Sequence, residues 1–195
     1  MLNTATNVVL VRYGLFRSSM VTEGGAARYV RAVQVRPADD GEAEAIAAIY
    51  SHHVEHGYAT FDTAPVSAVD RRAWMQTFAP TGPHQLLVAV DGDRLDGYAC
   101  SSPYRSHSAF DETVEFSVYV APNAIGRGVG SALYERLIAA LERESVHRAL
   151  VGIALPNDAS VRLHERFGFE RVGVFEEYAE KHGERISSVW MQRRF

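Results

Sequence analysis

Thr113-Val114-Glu115-Phe116-Ser117-Val118-Tyr119-Val120-Ala121, closed by Pro122-Asn123 and followed by Gly126-Arg127-Gly128-Val129-Gly130, is the stretch whose reading decides the fold. Its first part is rich in β-branched and aromatic residues, which suit a pleated, half-buried strand. Pro122 cannot donate to a ladder and Asn123 favours a turn, so the strand stops there. Beyond the glycines, Leu133, Tyr134, Leu137, Ile138 and Leu141 recur at helical spacing and define one apolar face. Glycines without Cβ atoms let a backbone turn sharply and approach a ligand closely. The first N–H groups of the next helix lack internal partners and lie at the positive end of its dipole. Strand, loop and helix together therefore form a seat for phosphate or pyrophosphate, or else a plain connection before a surface helix. No Gly-Lys-Ser/Thr follows, and the third glycine of a dinucleotide fingerprint is missing.

Outward from that stretch, the elements follow at short intervals. Ala32 to Arg36 reads as a strand with Val33 and Val35 inward, closed by Pro37. Asp39 or Asp40 caps a helix over Glu42 to His56, with Ala45, Ile46, Ile49 and Tyr50 on its buried face and Gly57 at its end. An extended segment, Tyr58 to Pro65, leads to a helix over Ala68 to Phe78. Gln85 to Val90 and Leu95 to Ser101 are strands joined by the hairpin signal Asp91-Gly92-Asp93-Arg94. Ser102 to Asp111 is a polar, aromatic loop. Ala149 to Leu155 is a strand apolar enough for burial on both faces, and Ala159 to Phe167 is a helix with Gly168 at its C-cap. Phe169 to Phe175 and Ile186 to Gln192 end the chain as strands around the turn Lys181-His182-Gly183.

The 195 residues and their 47% hydrophobic content suit one globular domain, expected over residues 32–195. Residues 1–31 are expected to be a poorly ordered extension, with Gly24-Gly25-Ala26 interrupting any regular pattern and Met20 as an alternative initiator. Net charge is −4, so nothing suggests a nucleic-acid partner. No run approaches the ~20 apolar residues of a membrane span. The single cysteine, Cys100, forms no internal disulfide, and a cytoplasmic protein is expected; in its apolar strand Cys100 is a buried structural thiol or, less in keeping with that setting, a nucleophile. Of the 20 basic residues only Lys181 is lysine. His52 and His56 lie one helical turn apart, a spacing open to a metal, but no third ligand stands near them in sequence, so a solvated or cleft-facing pair is the better reading and no metal is expected.

The loop with Gly128-Val129-Gly130 and Ser131-Ala132-Leu133 resembles the R/Q-x-x-G-x-G/A loop of the GNAT acetyltransferase superfamily, with Ile125 where that family has Arg or Gln. The order β-α-α-β-β-β-α-β-α-β-β is the order of that superfamily. Three further motifs are similar to its phosphinothricin and methionine sulfone acetyltransferase group: Phe61-x-Thr63-x-Pro65, Glu115-x-Ser117-Val118-Tyr119-Val120, and Leu155-Pro156-Asn157-Asp158-x-Ser160-Val161-Arg162-Leu163-His164-Glu165-x-x-Gly168-Phe169. Lys181-His182-Gly183 matches as well.

The resemblance implies an α/β domain with a mixed, twisted, centrally splayed sheet flanked by helices. It implies acetyl-CoA as co-substrate, a small-molecule amine as acceptor, direct transfer without metal or covalent acyl-enzyme, and a homodimer. The pyrophosphate would lie on Arg127, Gly128, Val129, Gly130 and Ser131. Pantetheine would run along the backbone of Val118, Tyr119 and Val120, near Asn157 and Ser160, with Asn157 also suited to capping a helix. A protein or peptide amine acetyltransferase and a non-catalytic acyl-CoA sensor are the alternatives.

Acetyl transfer to an alkyl amine needs the neutral nitrogen, yet such an amine, with a pKa of about 10, is mostly protonated at neutral pH. A general base must remove that proton. Glu115, in an otherwise apolar strand that would raise its pKa, is the candidate base; its alternative is a structural carboxylate. His164 stands where many members of the superfamily have a Tyr that protonates the departing sulfur; an imidazole there can act as acid or base, and its alternative is a plain helix-surface histidine before Glu165. For the acceptor, the resembling group has a basic residue and an Arg two apart in this loop; here Arg105 can grip a carboxylate, and His107 stands in place of the Arg. Phe61 and Phe110 either wall the pocket or merely pack.

Overall fold

The computed structural model describes residues 9–10, 19–23, 26–30 and 33–195. The remainder of the 1–31 extension, and Ala32 where the domain is expected to begin, lie outside them. Strands β1 (Val9–Leu10), β2 (Ser19–Glu23) and β3 (Ala26–Val30) pair antiparallel in a three-stranded sheet, in a region where the sequence pattern pointed to no strand.

From Gln34 the chain builds a seven-stranded sheet. Strand β4 (Gln34–Pro37) precedes a capping box in which Asp39 Oδ1 accepts from the Gly41 N–H and the Glu42 carboxylate accepts from the Asp39 N–H. That turn launches helix α1 (Ala43–His56), whose Ile46, Ala47 and Ile49 are buried. Ser67 caps α2 (Ala68–Met75) by accepting from the Asp70 N–H. This helix stops short of the expected Phe78, because Thr77 N–H turns back to Trp74 O and Phe78 N–H to Met75 O in tight turns. Strands β5 (Leu86–Asp91) and β6 (Arg94–Pro103) form the hairpin, and β7 (Thr113–Val120) pairs antiparallel with β6. Then come α3 (Val129–Leu141), β8 (Arg148–Ala154), α4 (Asp158–Arg166), β9 (Glu170–Lys181) and β10 (Glu184–Arg194).

The strand order is β4-β5-β6-β7-β8-β10-β9, antiparallel except for β7 beside β8. The periodicities place the core where the pattern of apolar residues requires. Val114 and Phe116 point to one face of β7, where Leu133, Tyr134, Leu137 and Leu141 of α3 cover them, all with 0–1% exposure. Burying each leucine stabilises the layer by roughly 1.5–3 kcal/mol.

Strand β9 extends well past the expected end at Phe175. Its residues up to Tyr178 are exposed, so no alternation of buried and open positions marks it in the sequence. The ladder to β10 holds it at the sheet edge, with a register shift between Ile186 and Ser188.

The feature that sets up the site is in the middle of the sheet. Pairing between β7 and β8 covers only Thr113 with Arg148, Val114 with Ala149 and Glu115 with Leu150. Beyond Glu115 the two parallel strands part, as the resemblance implied, and leave one backbone edge of Phe116–Val120 open.

Candidate active site

A cavity of about 390 Å³ fills the opening between β7 and β8. Its walls are Phe116–Val120 on one side and Val151–Ala154 on the other. Gly126, Gly128, Gly130 and Ser131 close one end, and Asn157, Ser160 and His164 of the α4 end line it too. Gly126 and Gly128 have φ of +79° and +80°, a conformation that L side chains rarely adopt, and a Cβ at either would meet nothing within 4 Å. The loop therefore exposes bare backbone to open space directly before the N-terminus of α3. That is the geometry of an anion seat. An unpaired strand edge leading away from it can bond an extended amide chain. The residues present fit acetyl-CoA on both counts.

Of the residues expected to hold the cofactor, Val118, Tyr119, Val120, Gly128, Val129, Gly130, Ser131, Asn157 and Ser160 all line this cavity. Arg127 does not. Its guanidinium turns away to Asp96 Oδ2 at 3.4 Å and Asp91 Oδ2 at 3.2 Å. Asp96 is fully buried and also accepts from Arg94 Nε at 2.6 Å, so the aspartate must keep its cations or sit as an unpaired buried charge. Arg127 thus anchors the glycine loop from behind, and the expectation that it contacts the cofactor is corrected. Ile125, 66% exposed, stands on the cavity rim instead. Asn157 caps α4 by accepting from the Ser160 N–H at 3.1 Å, which orients its amide beside the cavity.

Glu115 sits in the last paired position before the strands part. Half-buried in the sheet, its carboxyl is pushed up by desolvation. A carboxylate raised in this way holds a proton more strongly, which suits it to take one from an ammonium.

His164 is different. It has 0% exposure, Nδ1 lies 2.7 Å from the Ser160 carbonyl, and Nε2 lies 2.7 Å from Tyr134 Oη. A carbonyl oxygen only accepts, so Nδ1 carries the proton, and the Tyr134 hydroxyl donates to Nε2. Burial drives the imidazole pKa down to about 4, against a smaller opposing effect of the Ser160 carbonyl. His164 is neutral at pH 7 with both nitrogens engaged. The geometry does not support the role of sulfur protonator expected of it, because no N–H is left free for a thiolate.

Phe61, Arg105, His107 and Phe110 lie outside the cavity wall, and Phe61, Arg105 and Phe110 belong to one aromatic band. Phe110 meets Tyr104 edge-on at 5.5 Å, and Tyr104 meets Trp190 at 6.4 Å. Trp190 meets Phe175 at 6.3 Å, Phe175 meets Tyr178 at 5.4 Å, and Tyr178 meets Phe61 at 5.6 Å. The two loops read separately in the sequence are thereby joined. The Arg105 guanidinium lies 5.1 Å from the Tyr104 ring centre and 5.8 Å from that of Phe110. His107 is exposed at the start of the turn Ser108–Phe110.

Sequence reading missed His53, whose Nε2 donates to Val120 O at 2.9 Å and whose ring lines the cavity. It stood beside the more conspicuous pair His52 and His56, whose rings stack at 4.5 Å. Trp190 was missed as well; it lies flat enough over Gly152 that a Cβ there would come within 3.1 Å of its ring. Only a residue-scale contact between β8 and β10 reveals it. Among the described residues no group of three or more His, Cys, Asp or Glu is placed to hold a metal ion, and no helix is long and apolar enough to cross a membrane.

Comparison with known proteins bears on this geometry. The family model described as "Acetyltransferase (GNAT) family" matches residues 46–169. A phosphinothricin N-acetyltransferase of Streptomyces coelicolor is 45% identical over 83% of this chain and 95% of its own length. An L-methionine sulfoximine/L-methionine sulfone acetyltransferase of Salmonella typhimurium is 35% identical over 81% of this chain and 92% of its own. Among solved structures, a GNAT superfamily phosphinothricin acetyltransferase from Sinorhizobium meliloti in complex with AcCoA superposes with a TM-score of 0.80 at 29% identity, covering 84% of this chain and 88% of that one.

Proposed function

Since the chain belongs to the GNAT acetyltransferase family, we propose that it acetylates the primary amine of a small amino acid or amino-acid analogue of the methionine sulfone, methionine sulfoximine or phosphinothricin type. The observation that supports this reading is the parting of β7 and β8 just beyond Glu115, which leaves an open strand edge beside a bare glycine loop, with Glu115 at the last paired position next to the cavity wall rather than in it. Acetyl-CoA, held on Gly128, Val129, Gly130, Ser131 and the edge of Val118–Val120, would supply the activated acetyl group. The chain's own work is to bind, orient and deprotonate. Glu115 takes the ammonium proton of the acceptor, by itself or through one water. Arg105 takes the acceptor carboxylate, and the rings of Phe61 and Phe110 exclude water beside it. His164, Tyr134 and Ser160 hold the α4 wall in place instead of moving a proton.

The buried thiol of Cys100 suits a reducing compartment such as the cytoplasm. Exposed Val172, Val174, Phe175 and Tyr178 on the edge strand β9 support a homodimer, since an uncovered apolar edge invites pairing.

The test is thiol release from acetyl-CoA over a panel of free amino acids, their sulfone, sulfoximine and phosphinate analogues, and short peptides. Turnover with small α-amino acids and not with peptides is expected. Turnover confined to peptides would favour a protein acetyltransferase, and none with any amine a binding protein.

A further inference from the structure

We infer that Lys181 is a positioning residue of the acceptor pocket, holding the segment that presents Phe61; the inference rests on the acetyltransferase reading above. Lys181 is the chain's one lysine, and it is 2% exposed. Its Nζ donates to Gly57 O at 2.8 Å, Thr60 O at 2.8 Å and His53 O at 3.4 Å. Three convergent carbonyls match the three N–H groups of an ammonium, and a planar guanidinium cannot reproduce that arrangement.

The carbonyls belong to the end of α1 and the segment that leaves it. Gly57 follows the helix with φ −171°, extended and not left-handed, so the usual glycine closure of a helix end is absent. The last carbonyls, at the negative end of the helix dipole, are taken by residues 181–182 instead. His182 Nε2 donates to Val54 O at 3.2 Å, and the Tyr58 hydroxyl donates to Glu184 Oε2 at 2.7 Å. The turn between β9 and β10 thus grips the chain from His53 to Thr60 from outside.

The grip is transmitted in two directions. The next residue, Phe61, packs against Tyr178 on the same strand as Lys181. Thr60 Oγ1 lies 2.7 Å from Tyr50 Oη, whose ring meets Tyr119 of β7 at 5.1 Å. The glycine loop is anchored separately, through Arg94, Asp96 and Arg127. Losing the ammonium should therefore disturb acceptor binding most, and acetyl-CoA, whose pyrophosphate seat is anchored elsewhere, less.

In Lys181→Met the acceptor KM is expected to rise about tenfold, as displacement of a positioning group does, and the acetyl-CoA KM by less, at equal folded fraction. Phe61→Ala should raise the acceptor KM similarly. If Lys181 acts through Phe61, the double variant is no worse than Lys181→Met alone; effects that multiply, or an unchanged acceptor KM, would overturn the inference. The wild-type enzyme gives a second measurement that needs no variant. Hydrogen exchange follows the backbone that Lys181 holds. Saturating acceptor should slow exchange across residues 57–61 several-fold, more than acetyl-CoA does; exchange there indifferent to acceptor would refute the coupling. A complete lack of thiol release with every amine would instead count against the acetyltransferase reading, a failure distinct from either result.

Discussion

Tyr134→Phe separates a structural histidine from a catalytic one. The substitution removes only the hydroxyl that donates to His164 Nε2 at 2.7 Å, in a place where both side chains have 0% exposure. A buried acceptor left without its donor costs about 1–3 kcal/mol. For a domain of this size each kcal/mol lowers Tm by roughly 2–4 °C, so a fall of about 2–12 °C is expected. Because the neutral imidazole has no N–H to give, kcat should stay within about threefold of wild type, far from the 10²-fold or greater loss that removal of an acid–base group causes. The same ring predicts acid sensitivity. Its folded pKa of about 4 lies below the ordinary 6.5, so its contribution to stability is complete above pH 6.5 and is lost as pH falls toward 4. The span corresponds to roughly 3 kcal/mol. Thermal unfolding across that pH range, with steady-state kinetics at 25 °C, reads both. A kcat reduced a hundredfold with Tm unchanged would refute the reasoning and return His164 to the chemistry.

Ile125→Arg places a cation on the rim of the cavity, where an exposed charge adds up to about 1 kcal/mol; the KM for acetyl-CoA should fall several-fold with kcat unaltered, and an unchanged KM would mean that position 125 does not face the phosphates. With one exposed guanidinium at Arg105 and an imidazole at His107, methionine sulfone and sulfoximine should be acetylated with higher kcat/KM than phosphinothricin, whose second anion needs a second cation. His107→Arg should shift the ratio of specificity constants toward phosphinothricin, a change that competition between the two substrates measures directly. Arg71, 7% exposed and stacked 4.2 Å from the Tyr50 ring centre and 4.4 Å from that of Trp74, should lose about 1–2 kcal/mol of stability as Arg71→Lys, seen in denaturant unfolding.

Strands and helices whose faces differ in burial were legible in the sequence. The stripe on α3 and the apolar run of β8 are direct records of which side each element buries. The glycine loop was legible for a related reason, since positive φ at Gly126 and Gly128 restricts the residue type that fits there. Strand β9 was half-read because exposure on both faces leaves no periodicity. The misreadings at Arg127 and His164 share one cause. Residue type and local spacing suggested a task, but partners 31 and 30 positions away, Asp96 and Tyr134, had already engaged the side chains. Lys181 was noticed as part of a motif, yet its carbonyl partners lie more than 120 positions back along the chain, and spacing carries no trace of them.

The central claim is that Glu115, at the point where β7 and β8 part, removes the acceptor's proton. The pH profile of kcat/KM for wild type and Glu115→Gln tests it most directly. In the wild type, activity should rise through a pKa above the ordinary carboxylate value, because burial raises that of Glu115, and level off once that base is ionised. Glu115→Gln should lower kcat by about 10² or more and abolish the acidic limb, with the KM for acetyl-CoA unchanged. A variant that keeps wild-type turnover and the same acidic limb would contradict the account.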